Sequence, residues 1–217
     1  MKRKTTVILT TLLCLAPILL GLYLYDQLPE MVPTHFNANW EPDGWSSRTA
    51  AVFGIPCMMA AINLLCHWAF ERMKKQDGER KVAPEILMEL CFWIPGLISV
   101  TMVPMTLFMA IGVEFPMGRI LNLVLGLTLA FAGNYMPKCK MNPYIGLKFP
   151  WTYSSDENWH RTHRLGGFCW VVAGLLMLVN AVIDSVIITT AVVTAAILIP
   201  GVYSFLIYRK EKQQENG

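Results

Sequence analysis

Charge is what this chain has least of. Only 15% of its 217 residues are Asp, Glu, Lys or Arg, where soluble domains carry about a quarter. No acidic or basic residue lies deep inside any of the long apolar blocks. That absence counts against a proton- or ion-coupled pump, in which buried ionisable groups do the coupling. The net charge is only +3, so the totals give no support to a nucleic-acid-binding surface. The chain also lacks a Gly-rich phosphate loop, a Gly-x-Ser-x-Gly elbow and a Cys-x-x-Cys pair. Nothing in it indicates catalysis or a cofactor. Nor do its six cysteines make a scaffold: Cys14, Cys57, Cys66, Cys91 and Cys169 fall within apolar blocks, and Cys139 in a basic loop. They read as free, reduced thiols.

What is abundant is apolar length. Hydrophobic residues make up 54% of the chain, and the mean hydropathy is +0.44. A membrane helix needs about 20 apolar residues to cross the hydrocarbon layer. Six blocks approach that length, at residues 5–25, 49–70, 90–113, 115–136, 165–183 and 186–208. They are too long and too uniformly apolar for barrel strands, which alternate. The predicted fold is an all-α membrane protein, a bundle of about six transmembrane helices. Arg119 near the start of the fourth block can snorkel to an interface. Lys2-Arg3-Lys4 ahead of the first block imitates a signal peptide, but the block is long enough to span and Leu24-Tyr25-Asp26 is no cleavage site. It reads as a retained helix.

Of the 18 Lys and Arg residues, all but Arg48 and Arg119 fall at the N-terminus, between the second and third blocks, between the fourth and fifth, or at the C-terminus. The positive-inside rule sets those segments, and both chain ends, in the cytoplasm. The outer side then has one loop of substance, residues 26–48, with Asp26, Glu30, Glu41 and Asp43 against Arg48. It weakly favours a cationic partner. Asp184-Ser185 forms a tight connection between the last two helices.

Pro17, Pro56, Pro95, Pro104 and Pro200 each remove a backbone donor and can kink a span. Such breaks build sites in transporters, and proline is also simply common in membrane helices. Asn122, Gly126, Ala130 and Asn134 recur every four residues, a pattern for close helix packing. His67 reads as an interfacial histidine.

Two polar segments stand out. In the outer loop, Pro29, Pro33, Pro42 and the Asp43-Gly44 pair imply fixed turns. There His35, Trp40 and Trp45 form either a recognition surface or a set of interfacial aromatics. In the inner loop, Ser154 and Glu157 have capping-box spacing, so a helix starts there and runs into the fifth span. On that helix Asp156, His160 and His163 share a face. They form either a metal site or part of an amphipathic interfacial helix whose basic residues meet anionic lipid. Their spacing is not the His-Glu-x-x-His of zinc hydrolases.

The inner run Gly133-Asn134-Tyr135-Met136-Pro137-Lys138, through Pro150-Trp151-Thr152 to Trp159, Thr162-His163-Arg164 and Gly166-Gly167, closely resembles the signature of the SdpI family. The outer run Val32-Pro33-Thr34-His35-Phe36-Asn37 to Pro42-Asp43-Gly44-Trp45 resembles an uncharacterised two-helix module often found ahead of it. The outer motif usually has glycine where this chain has Trp40, and the inner motif often has arginine where it has Lys148. Residues 1–75 would form the two-helix module with its loop at 26–48, and 85–217 a four-helix module with a cytoplasmic motif loop at 137–164.

The resemblance implies bacterial toxin immunity in the cell membrane. The outer residues His35, Phe36, Asn37, Asp43, Gly44 and Trp45 would sense or bind a secreted toxic peptide, one like the SDP peptide that the resemblance implies. The inner functional motif would comprise Asn134, Pro137, Lys138, Asn142, Gly146, Lys148, Pro150, Trp151, Thr152, Trp159, Thr162, His163 and Arg164. A cytoplasmic ArsR-like repressor would be a second partner, held at the membrane to signal. Two other classes stay open: a small transporter or flippase, and a metal-dependent membrane enzyme built on Asp156, His160 and His163.

Overall fold

The computed structural model describes residues 3–37, 40–77, 85–143 and 145–215, of which 3, 73–77, 85 and 215 are described as backbone only. Lys2, Arg80 and Lys81, which enter the count of basic residues, lie outside that set. The helices are α1 (Arg3–Leu15), α2 (Pro17–Leu24), α3 (Ile55–Asp77), α4 (Glu85–Ala110), α5 (Met117–Tyr135), α6 (Asp156–Ile183) and α7 (Val186–Glu215), with strands β1 (Met31–Phe36) and β2 (Pro42–Ser47) between α2 and α3. Among the described residues, six helical stretches are long and apolar enough to cross a bilayer: Lys4–Gln27, Ala50–Arg72, Ile86–Ala110, Met117–Lys138, Asp156–Ile183 and Val186–Gln214. Their outer faces carry apolar side chains such as Leu19 and Ile187, 73% and 77% exposed. In water such faces would be costly; in lipid they are at home.

The prolines act unequally. Pro17 splits the first span, since it has no N–H to give: α1 ends at Leu15, α2 begins at Pro17, and the Leu19 N–H turns back to the Ala16 carbonyl at 3.1 Å. Ahead of Pro56 the second span opens with a wide π-type turn at Ala50–Gly54. Pro95, Pro104 and Pro200 lie inside continuous helices.

Packing divides the chain into two compact units, Met1–Gly78 with Glu89–Met117, and Glu79–Met88 with Gly118–Gly217. The third span thus packs mainly with the first two. In the first unit, Gly96 lies so close to Leu13 that a Cβ would meet its side chain at 2.8 Å, and the Ser99 hydroxyl donates to the Cys14 carbonyl at 2.6 Å. A polar cluster lies between the same helices. Thr10 Oγ1 is 3.0 Å from Asn63 Oδ1 and 3.1 Å from His67 Nε2, and the Asn63 amide donates to the Phe92 carbonyl at 2.6 Å. His67 is therefore not interfacial. It is buried and stacked on Phe92, with centroids 4.0 Å apart, because Thr10 on the neighbouring helix gives its ring nitrogen a partner away from water.

The outer loop is a β-hairpin. β1 and β2 pair antiparallel with Val32 opposite Ser46 and Pro33 opposite Trp45, and the register is irregular around His35. Val32 anchors it in a cluster with Leu24, Leu28, Val52, Val103 and Leu107. Arg48 closes its base: the guanidinium donates to the Tyr25 carbonyl at 2.9 Å and lies over the Tyr25 ring.

In the second unit α5 and α6 meet at glycines. A Cβ on Gly133 would lie 2.7 Å from the Gly167 carbonyl oxygen, and one on Gly167 the same distance from the Gly133 oxygen. Gly126 and Gly174 repeat the contact two turns away, with Ala130 against Gly174. The every-four-residues pattern therefore does pack, except that Asn134 is exposed. Asn122 at its other end accepts from Thr189 on α7 at 2.8 Å. Asp184, at φ 59°, ends α6 in the left-handed conformation, and the Asn180 side chain bridges the α6–α7 turn to Ser185 and Thr189.

Candidate functional site

The hairpin presents the outer group of residues. His35 Nδ1 is 2.5 Å from Asp43 Oδ1 across the strands, with the imidazole 75% exposed. Gly44 is required there, because a Cβ would meet the His35 Cβ at 2.8 Å. Asn37 braces the turn: its N–H donates to the Glu41 carbonyl, its side-chain amide donates to the Glu41 carboxylate, and its side-chain oxygen accepts from the Glu41 N–H. Trp40 sits in this turn at φ 64°, the region where glycine is at ease and a side chain is strained. Trp45 is 54% exposed on β2, and Phe36 is half-buried. The hairpin thus offers a rigid face with an aromatic ring, an imidazole and the carboxylates of Glu41 and Asp43.

The inner motif is mostly a folded knot within the second unit. Helix α6 is capped by Ser155, whose Oγ accepts from the Asn158 N–H at 2.9 Å. The capping box read at Ser154 is therefore displaced by one residue. Ser154 ends a 3-10 turn over Pro150–Tyr153, and Glu157 instead pairs with Arg161 at 2.6 Å. Asn158 is the hub. Its amide donates to the carbonyls of Trp151 and Ser204, and its Oδ1 accepts from the Thr162 and Ser204 hydroxyls at 3.0 and 2.8 Å. Thr152 completes the set, 3.1 Å from the Ser204 hydroxyl.

Trp159 and His163, one turn apart on α6 and fully buried, stack with centroids 4.0 Å apart. The Trp159 indole donates to the Cys139 carbonyl at 2.9 Å. His163 Nε2 accepts from the Leu147 N–H at 3.0 Å, and its Nδ1 lies 2.8 Å from the Trp159 carbonyl. A backbone N–H can only donate and a carbonyl can only accept, so Nδ1 carries the proton and the ring is neutral. Gly146, at φ +126°, makes this possible: a Cβ there would lie 2.2 Å from Nε2. Asn142 folds the preceding turn by accepting from the Ile145 N–H at 2.8 Å and donating to the Lys140 carbonyl. The Tyr153 hydroxyl donates to the Asn142 carbonyl at 3.1 Å, and desolvation pushes that phenol above its ordinary pKa. It stays a donor at any physiological pH.

Asp156, His160 and His163 do not gather. The first two are exposed, both nitrogens of the third are engaged, and among the described residues no cluster of three His, Cys, Asp or Glu could hold a metal. Around the knot the motif's remaining side chains face outward: Asn134, Pro137, Lys138, Lys148, Pro150 and Arg164 are exposed, and Trp151 is half-buried. Lys148 donates to the Pro143 carbonyl and Lys138 lies over the Tyr135 ring. The motif therefore has a buried scaffold and a basic outer face. Asn158, Ser155, Ser204 and Glu211 belong to that scaffold but were not singled out from the sequence. Ser154, Asn158 and Thr162 at spacings of four were the legible sign, a polar stripe on an otherwise mixed helix.

Comparison with known proteins agrees with the motif. Residues 138–204 match the model of the SdpI/YfhL protein family, and residues 12–60 match a domain of unknown function, DUF1648. The chain is 26% identical over 214 residues to "Immunity protein SdpI" of Bacillus subtilis (strain 168), covering 95% of this chain and 97% of that protein. No solved structure matches it. The chain is SdpI-like along nearly its whole length, and it is a multi-pass protein of the cell membrane.

Proposed function

We propose that this chain is a membrane immunity protein that gives resistance to a secreted toxic peptide. The observation that carries the reading is the end-to-end similarity to Immunity protein SdpI. Both termini lie in the cytoplasm by the positive-inside rule, so the hairpin faces the toxin. Its exposed Trp45 and the acidic side chains of Glu41 and Asp43 suit an apolar, cationic peptide. The inner basic face, with Lys138, Lys148 and Arg164 turned outward, suits a cytoplasmic protein, and an ArsR-like repressor held there would couple toxin arrival to expression.

The two halves of the proposal separate experimentally. An SDP-like peptide should bind the purified chain in lipid nanodiscs, and Trp45→Ala with Asp43→Lys should weaken that binding while leaving the protein folded. Equal binding by the variant removes the hairpin from the site. An ArsR-like repressor should co-purify with membranes carrying the chain only when the peptide is present, and lose that association when Lys138 and Arg164 become Glu. Unchanged association without peptide contradicts the signalling half alone.

A further inference from the structure

A groove runs along α7 on the second unit and changes character along its length. One part, with a volume of about 440 Å³, is walled by Phe149, Trp151, Ile197, Gly201 and Phe205 and is almost wholly apolar. A small hollow lined by Trp151, Tyr153, Ser154 and Tyr208 continues it. It ends in a polar mouth of about 500 Å³ with Ser155, Glu211 and Lys212. Neighbouring hollows share Trp151, then Ser154 and Tyr208, so they follow one another along α7 and grade from apolar to charged.

The wall is built in advance. The Trp151 indole donates to the Gly201 carbonyl at 3.0 Å, Phe149 stacks parallel to Trp151 at 5.7 Å, and Phe205 meets Trp151 edge-on at 5.3 Å. Gly201 makes the slot, since a Cβ there would lie 2.9 Å from the Phe149 ring. The grading follows the membrane boundary on α7. Ile197, Leu198, Val202, Phe205 and Leu206 are exposed apolar residues, and Tyr208 then gives way to Arg209, Lys210, Glu211 and Lys212. Aromatic residues followed by a basic cluster mark the headgroup level. At the mouth the Glu211 carboxylate accepts from the hydroxyls of Ser154 and Ser155 at 2.6 and 2.5 Å. The carboxylate keeps its charge in these bonds, but along residues 209–212 of α7 three basic side chains, Arg209, Lys210 and Lys212, outnumber it.

We propose that this groove seats one anionic glycerophospholipid, an acyl chain against Phe149, Trp151 and Gly201 and the phosphate-bearing head at Lys212. The inference does not rest on the immunity reading. It also gives the aromatic Phe149-Pro150-Trp151 run of the motif a direct task, as the wall of a lipid slot.

The test is retained lipid after exhaustive detergent exchange, measured by native mass spectrometry on protein loaded with either phosphatidylglycerol or phosphatidylcholine. Wild type is expected to keep a single phosphatidylglycerol and to release phosphatidylcholine. Gly201→Leu should lose the retained lipid by filling the slot. Lys212→Gln, at an exposed position, should keep the chain seat but cut the preference for the anionic head about fivefold, as expected of one lysine near an anionic surface. Equal retention of both lipids, or unchanged preference in Lys212→Gln, would overturn the assignment of the head. Unchanged retention in Gly201→Leu would reduce the bound lipid to an annular one. Competition by glycerol phosphate as effective as by the whole lipid would show an anion site without a chain, and would overturn the proposal too.

Discussion

At the scale of residues, the inner motif turns on His163 and its fixed tautomer. Because Nε2 accepts from Leu147 and Nδ1 faces the Trp159 carbonyl, the ring holds the motif loop against α6 without a charge. Gly146→Ala should therefore destabilise the protein by roughly 3 kcal/mol, through backbone strain and collision with Nε2. Thermal unfolding in detergent measures it, and Gly146→Ala combined with His163→Ala should cost less than the separate losses added. Asn158→Asp should be worse than Asn158→Ala, since a carboxylate would face the carbonyls of Trp151 and Ser204 where an amide now donates; the order of the two melting temperatures decides it. For the same reason as the fixed tautomer, metal analysis of the purified protein should find no stoichiometric zinc, and the value should not change with His160→Ala. On the hairpin, Trp40→Gly should stabilise by about 1 kcal/mol by relieving the left-handed backbone. The left-handed backbone at Trp40 was not read from the sequence, and neither was the His163 tautomer, because the Leu147 N–H that fixes it lies 16 residues away.

At the scale of elements, glycine position matters more than glycine count. Gly133, Gly167, Gly126 and Gly174 bring two helix backbones into contact, and Gly174→Leu should leave little folded protein in size-exclusion profiles. Gly54→Ala is the control, with no neighbouring atom within 4 Å of a new Cβ, and should be neutral within about 0.5 kcal/mol. The spans were legible because lipid imposes length and apolarity so strictly. The hairpin was legible only as turns: Met31–Phe36 and Pro42–Ser47 hold three prolines and glycines between them, which mask strand propensity. The helix start was misplaced by one residue for a different reason. Ser154 and Ser155 both offer hydroxyls, and only the bond from Asn158 decides which one caps. His67 was misjudged because its partner Thr10 lies on another span, invisible to local spacing.

At the scale of the whole molecule, two compact units share six spans, one bearing the acidic hairpin and the other the basic motif. The division of labour in the proposed function follows that arrangement, with peptide met by the first unit and cytoplasmic or lipid partners by the second. The measurement that bears most directly on it is survival of otherwise sensitive cells exposed to an SDP-like peptide, with and without this chain at matched membrane levels. The account predicts that cells carrying it survive several-fold higher peptide concentrations, and that Asp43→Lys with Trp45→Ala removes most of the protection. Equal killing of cells with and without the chain would contradict it.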